Sequence, residues 1–495
     1  MAHCPADKMR KTAGKGGRSV KALAVSALVL FLFQVPATRA AELPAVIHYD
    51  LDVRFALKEQ RVKIVAAMTI RNDTDEPCRE LPFLLYRLFA VEKVCSDSGA
   101  PLPFRQDIVQ LSDEPTLQAR QVLVTLPVAL RPRDSLKMTV TYEGFMFGYP
   151  EVMAYVRDTI DEDYSLLRPD AFAFPILADA TFASQLAAND TKFTYGIAAT
   201  VPKDYTAVCG GEFISLQTKL DQATYLYRSK VPTWRIDLAV ARFSVLGSPA
   251  DKLTVYHLPD DRSGAELVLG AARNAIGLFG KMFGQPKNFK GYAIIEIPNG
   301  LGSQASDFYF LQTAAAFKDS SRLNEVYHEI AHSWNATPAP EIQRCRWFDE
   351  AFASFFESLA IGKFNDEKSF AADMEKARDI FVQWANYDRQ VFDTPIAGYG
   401  KKEMGRHSYT KGAWSLYVLY SLIGEKDFDS IIRAVLSEFA GRTMNFGDFQ
   451  ALCQRISKRD LTKFFQEWIY GTESSRLLVD KVPIAEILRR YAAAN

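Results

Sequence analysis

Beyond its first forty residues the sequence has no apolar run long enough to cross a bilayer, so nothing in residues 41–495 reads as a membrane span. It also lacks net charge. The 59 basic and 59 acidic side chains cancel, and no global field draws the chain to nucleic acid or to an anionic surface. No internal repeat and no low-complexity segment is present, which sets aside solenoids and biased linkers. Cysteine is scarce, with six in 495 residues and no Cys-x-x-Cys pair. Cys4 would leave with a leader, and the remaining five, Cys78, Cys95, Cys209, Cys345 and Cys453, are odd in number and widely spaced, unlike a disulfide framework. Cys78 and Cys95 are the nearest pair in sequence and could bridge; buried free thiols are the other reading.

The opening forty residues read as an address. Lys8, Arg10, Lys11, Lys15, Arg18 and Lys21 precede an apolar run over 22–35, followed by Pro36 and Thr38-Arg39-Ala40. The expectation is export to the periplasm or the extracellular space with cleavage after Ala40 and no stable membrane span thereafter; a retained anchor is the alternative. At 48% hydrophobic residues the rest has ample material for a core, and its length suggests two or three domains.

From residue 45 to about 243 apolar residues alternate with period two, as in Val62, Ile64, Ala66, Met68 and Ile70, or Leu136, Met138, Val140 and Tyr142. Turn clusters such as Arg71-Asn72-Asp73-Thr74-Asp75 and Gly210-Gly211 break the runs. This predicts an antiparallel β-sandwich or saddle-shaped sheet over 41–245. After Gly247-Ser248-Pro249 strands over 253–256 and 292–297 flank a helical stretch over 265–283, and longer helical patterns follow, predicting an α+β domain over 246–495.

Chemistry concentrates in Val326-Tyr327-His328-Glu329-Ile330-Ala331-His332-Ser333-Trp334. Leu323, Val326, Tyr327, Ile330, Ala331 and Trp334 recur at helical spacing behind the cap candidates Asp319, Ser320 and Ser321. On a helix, His328 and His332 project one above the other and can share one tetrahedral zinc, with Glu329 beside the metal as general base. After Pro338 and Pro340 a second helix begins near Trp347, with Phe348, Phe352, Phe355, Phe356 and Leu359 as its buried stripe. Glu350, off that stripe, can complete a His₂Glu set that leaves the fourth position to water.

These residues resemble the gluzincin aminopeptidases, the family that includes membrane alanyl aminopeptidase and leukotriene hydrolase. That family pairs His-Glu-x-x-His with a helix reading Trp-Leu-Asn-Glu-Gly-Phe-Ala-Ser-Tyr; here the segment reads Trp347-Phe-Asp-Glu-Ala-Phe-Ala-Ser-Phe, after a connection one residue shorter. His407-Ser408-Tyr409-Thr410-Lys411-Gly412-Ala413 is similar to its Tyr-x-Lys-Gly-Ala segment, whose tyrosine donates to the oxyanion, a role the resemblance gives to Tyr409. Residues 47–53, Phe174-Pro175, Val201-Pro202 and 461–468 also match the family's pattern. The resemblance implies a thermolysin-like zinc-peptidase domain with a short helical tail after the β domain, one zinc ion and a peptide substrate; the C-terminal helical domain that usually roofs the family's cleft is expected to be missing or reduced to a stub.

One departure bears on substrate. Where the family carries Gly-x-Met-Glu-Asn, whose glutamate grips a free α-amine, this chain has Gly300-Leu301-Gly302-Ser303-Gln304, with no carboxylate. Gly300, Gly302, Ser303 and Gln304 are therefore candidate substrate contacts that cannot pair with an ammonium. Glu296, Asp307 or Asp163 could substitute. The strand entering this segment, 295–302, is expected to form the cleft's edge and to hold an extended peptide. His48 and His257 read as structural or surface groups, His407 as packing or a cleft-lining residue, and Lys401-Lys402-Glu403 as a solvated loop. Three functions stay open: a zinc peptidase, aminopeptidase first; a zinc hydrolase of a non-peptide substrate; and a zinc-containing binding protein without turnover. The sequence carries no sign of oligomeric state.

Overall fold

Alternation builds the first half. In the strand Ala45–Ala56, Leu51, Val53 and Phe55 turn inward, and in Arg61–Arg71 the same face carries Val62, Ile64, Ala66, Met68 and Ile70. The computed structural model describes residues 43–492 apart from 190, 230, 249–251, 287, 288, 290 and 307. The expected leader and its cleavage point, together with Asp307, lie outside the described residues.

A seven-stranded sheet runs in the order Glu212–Lys219, Gln222–Arg228, Thr194–Pro202, Ala45–Ala56, Arg61–Arg71, Ser135–Gly144, Phe89–Ser96. It shares one core with a four-stranded sheet of Phe104–Leu111, Glu114–Leu130, Cys78–Tyr86 and Ile176–Leu177; Val53, Ile64 and Tyr142 from the first meet Phe83, Leu85 and Val122 from the second. The β domain expected from the alternation is thus present, with one difference. Ala45–Ala56 pairs parallel to Thr194–Pro202, with His48 opposite Thr194. Neighbours joined by short turns pair antiparallel, whereas these strands are far apart in sequence and are free to meet in either direction.

The second half begins with a five-stranded sheet ordered Ser244–Ser248, Leu253–His257, Tyr292–Ile297, Tyr309–Thr313, Gln304–Ser306. Its three inner strands are parallel, and the helix Arg262–Phe283 makes the crossover between the first two. A Cβ on Gly264 would lie 1.7 Å from the carbonyl oxygen of Phe317, so only glycine permits that contact. The expectation of a cleft edge at 295–302 is corrected: Tyr292–Ile297 is central, and Ile294, Ile295, Glu296 and Ile297 are fully buried. A strand apolar on both faces belongs inside a sheet. The chain turns back through Gly300 (φ 92°) and Gly302 (φ 70°), and the short edge strand Gln304–Ser306 lies antiparallel to Tyr309–Thr313.

Helices then take over, joined in one core of Phe279, Trp334, Trp347, Phe352, Phe356, Trp414 and Phe449 among others. A smaller cluster links strands of the two halves, bringing Tyr164, Leu166 and Val208 against Ile295, Ile297 and Leu311. All five described cysteines are free thiols; Cys78 and Cys95 sit on strands of different sheets. Among the described residues no helix is long and apolar enough to cross a membrane.

Candidate metal centre

The histidine segment folds as its spacing requires, though not as one uninterrupted helix. Asp319 caps a 3-10 turn, Ser320–Arg322, by accepting from the Ser321 amide at 2.9 Å; the α-helix proper is Asn324–Ala331, and a second 3-10 turn, His332–Trp334, closes it. Val326, Ile330 and Trp334 anchor its back in the core, the Trp334 indole donating to the Gly284 carbonyl at 2.7 Å. His328 and His332 therefore share the open face, ring centres 5.0 Å apart.

Glu350 comes from a wider turn. Residues Trp347–Ala351 form a single π-turn ahead of the α-helix Phe352–Phe364, entered through Arg346 in the left-handed region (φ 55°). Such turns push one side chain out of helical register, and they concentrate at functional sites. Gly412 allows the neighbouring helix Lys411–Ile423 to press against this turn, since a Cβ there would sit 2.7 Å from that of Ala351.

The three expected ligands converge. His328 Nε2 is 3.2 Å and His332 Nε2 3.7 Å from the same oxygen, Glu350 Oε2, and the potential ligand atoms of the three residues lie within 4.8 Å of one another. The opposite ring nitrogens are engaged by carboxylates: His328 Nδ1 with Glu357 at 3.1 Å, His332 Nδ1 with Asp349 at 2.8 Å. Carboxylates on Nδ1 hold the proton there and leave the Nε2 lone pairs facing inward. Two imidazoles with Nε2 turned inward, one carboxylate oxygen and no fourth protein donor among the described residues suit a zinc ion with an open position. Arg346 takes the other oxygen, Glu350 Oε1. Burial pushes Glu350 toward protonation, but the Arg346 guanidinium outweighs it and holds the carboxyl below the ordinary range.

Glu329 lies beside the three and outside their contact. It is buried, its Oε2 has no hydrogen-bond partner among the described residues, and burial raises its pKa to about 7 against the pull of His328 and His332. Tyr409 ends the 3-10 turn Gly405–Tyr409, with its ring parallel to His328 at 5.7 Å. Tyr409 is 40% exposed as a residue, but desolvation of its hydroxyl, then the neighbouring Glu350 carboxylate, hold the phenol well above 10, so it remains an O–H donor. Lys411, two residues on, is fully buried and donates to Ser475 Oγ at 2.9 Å and the Thr394 carbonyl at 3.3 Å.

The four candidate substrate contacts sit at the sheet edge. Gln304 opens the edge strand opposite Leu311, and Ser303 Oγ accepts from the Thr313 amide and from Gln312 Nε2, each at 3.2 Å. Among the described residues, neither Gly300, Gly302, Ser303 nor Gln304 is hydrogen-bonded to the metal-ligand candidates. Glu296 is not available to an amine: its Oε2 accepts from the Leu258 amide at 2.7 Å beside Asp261, and burial raises its pKa to about 8. Asp163 is exposed in a turn. Lys401, Lys402 and Glu403 are solvated, as read. His48 is part-exposed beside Thr194 and Asp50, His257 is buried with Nδ1 on the Leu258 carbonyl, and His407 is packed against Trp384 and Tyr399 instead of lining the cleft. The sequence reading missed Arg346, Asp349 and Glu357. Glu357 had a usable signal, lying seven residues after Glu350 and so two helical turns along the same face.

Residues 306–468 match the Peptidase family M1 domain. Among curated proteins the chain is similar to glutamyl aminopeptidase of Rattus norvegicus, 22% identical over 454 residues, covering 85% of this chain and 46% of that protein. It is also similar to leucine aminopeptidase 2 of Emericella nidulans, 25% identical over 184 residues, 36% of this chain and 28% of that protein. The chain thus spans about half the length, or less, of the curated relatives it matches. Among solved structures its fold is similar to an M1 zinc metallopeptidase of Deinococcus radiodurans (TM-score 0.59, 17% identity, 88% of this chain and 93% of that one) and to leukotriene A4 hydrolase of Saccharomyces cerevisiae (TM-score 0.63, 16% identity, 86% and 68%).

Proposed function

We propose that the chain, whose residues 306–468 match the Peptidase family M1 domain, is a zinc-dependent metallopeptidase that removes residues from the amino terminus of peptides, with one zinc ion per chain. One observation carries this reading: His328 Nε2, His332 Nε2 and Glu350 Oε2 converge while the buried Glu329 carboxylate beside them keeps one oxygen unpartnered among the described residues. A binding site needs no such base. Zinc held by those three atoms would supply Lewis acidity, lowering the pKa of a water and polarising the scissile carbonyl.

The chain's own residues account for the proton and the charge. Glu329, with a pKa near 7, is poised to take a proton from the attacking water at its free Oε2 and to return it to the leaving nitrogen. The protonated Tyr409 phenol donates to the carbonyl oxygen as negative charge develops there. Among the described residues the edge strand Gln304–Ser306 has one side unpaired, the arrangement that accepts an extended peptide by main-chain hydrogen bonds. Peptide substrates are consistent with the Deinococcus radiodurans relative, a variant of which has been crystallised with the substrate Tyr-Ser-Ala. The basic and then apolar opening of the sequence supports export to the periplasm or the extracellular space.

A second reading, hydrolysis of a non-peptide substrate, is favoured by the missing carboxylate in residues 300–304. Both are tested by assaying zinc-loaded protein on free-amine aminoacyl nitroanilides beside N-acetylated peptides, with Glu329→Gln as control. Turnover of free-amine reporters alone, lost in the control, is the expected result. Turnover of blocked peptides would make it an endopeptidase, and silence on both with zinc bound would overturn the peptidase reading.

A further inference from the structure

Resting on that reading and deepening it, we propose that Glu325 and Gln312 form the subsite that receives the substrate's free α-ammonium group. An ammonium has three donors and no acceptor, and binds best where a carboxylate and a carbonyl oxygen meet in a partly dry place. Most carboxylates around the metal-ligand candidates are already committed. Glu357 is held by His328 and Asn324, Asp349 by His332, Arg346 and Asn335, and Glu350 by both histidines and Arg346, while Glu329 serves as base.

Glu325 remains. It lies in the first turn of the histidine helix, three residues before His328 and four before Glu329, and so on the same face one turn closer to the amino end. Its two oxygens differ. Oε1 takes Arg322, with Nε at 2.7 Å; among the described residues Oε2 has only neutral donors, Gln312 Nε2 at 3.1 Å and, at the outer limit, the Thr313 hydroxyl at 3.5 Å.

Gln312 supplies an independent observation. It is fully buried and directs its Nε2 donors to Glu325 Oε2 and to Ser303 Oγ, which fixes the orientation of the amide. The carbonyl Oε1 is left buried with no partner among the described residues. A buried orphan carbonyl on the very amide whose nitrogen donates to the Glu325 carboxylate matches a ligand group bearing several N–H donors and a positive charge. Ser303, which stands in the segment lacking a carboxylate, is tied into this cluster through Gln312. The negative charge therefore comes from the helix and not from the loop. Arg322, 41% exposed on the far oxygen, opposes the ammonium electrostatically.

The test uses zinc-loaded protein and the ratio of kcat/KM for free-amine over N-acetylated aminoacyl substrates. Glu325→Gln is expected to lower that ratio about ten- to a hundredfold, chiefly through KM of the free-amine series. Arg322→Met should move the free-amine KM the other way, downward. An unchanged ratio in Glu325→Gln, or a loss in Arg322→Met that copies it, overturns the proposal, because the two residues would then be a structural pair. A readout without turnover separates this from failure of the peptidase reading: calorimetry of zinc-loaded Glu329→Gln with L-leucinamide and N-acetyl-L-leucinamide. A preference for the free amine that disappears when Glu325→Gln is added supports the subsite even if no peptide is cleaved. No preference in the parent overturns it.

Discussion

Replacing Glu357 by glutamine should weaken zinc binding about five- to thirtyfold without unfolding the protein. Glu357 Oε2 lies 3.1 Å from His328 Nδ1, and its other oxygen accepts from Asn324 Nδ2 at 2.5 Å, so the carboxylate is fixed at both ends. Its negative charge keeps the proton on Nδ1 and so the lone pair on Nε2, 3.2 Å from Glu350 Oε2. Glutamine preserves the volume, but its amide can offer either an acceptor or a donor, and the tautomer is no longer enforced. A hydrogen bond to a charged group contributes about 1.5–3 kcal/mol against about 0.5–1.5 for a neutral one, so about 1–2 kcal/mol is lost, roughly tenfold for each 1.4 kcal/mol. The deficit should also depend on pH. Burial lowers the pKa of His328, but the hydrogen bonds to Glu350 and Glu357 outweigh it and leave the imidazole well above 6.5. A raised pKa means that the protonated ring stabilises the metal-free fold at acid pH and that this contribution is lost as pH rises through the folded value. Zinc needs the unprotonated ring, so affinity climbs with pH in both proteins. The variant faces less proton competition, and the gap is therefore widest at alkaline pH and narrows as pH falls. Competition against a chromophoric chelator from pH 6 to 9, with the thermal midpoint of the metal-free protein as fold control, reads both effects. A folded variant with an unchanged zinc Kd at alkaline pH would refute the tautomer argument.

Glu329→Gln should lower kcat by about 10²–10⁴ while zinc content per chain stays the same; turnover that survives in the loaded variant would remove Glu329 from the role of base. Tyr409→Phe should cost about 10²–10³ in kcat with little change in KM, and a change confined to KM would point to substrate binding instead. Burial, with Arg406 nearby, lowers His407 to about 4, so below about 6.5 the unfolded chain takes up a proton that the folded one declines, and stability falls as pH drops toward 4. His407→Phe keeps a ring against Trp384 and Tyr399 and should lose less in its urea midpoint between pH 7 and 4.5 than the parent; equal losses would contradict the assignment.

What could be read from the sequence was what short-range periodicity encodes. His328 and His332 share a face because four residues make about one turn, and Phe348, Phe352, Phe355, Phe356 and Leu359 are buried as their spacing required. The period-two strands of the first half were visible for the same reason. The parallel pairing of Ala45–Ala56 with Thr194–Pro202 was not, since its register depends on where a distant strand returns. Edge position was misassigned because an apolar run such as Tyr292–Ile297 announces burial but not its neighbours, and the edge itself is three residues long.

The supporting residues of the centre were hidden for a different reason. Arg346, four residues before Glu350, would be one helical turn away in an α-helix, yet it sits at φ 55° outside the π-turn and reaches Glu350 Oε1 from there. That geometry divides the two oxygens of Glu350, one for the histidines and one for the guanidinium. Asp349, in the same π-turn, meets His332 Nδ1 at 2.8 Å, so adjacent side chains of that turn serve the same imidazole cluster. A one-residue shortening of the preceding connection therefore leaves the ligand set intact: the π-turn, rather than the length of the loop, places Glu350, and the close packing of Gly412 against Ala351 holds that turn in position.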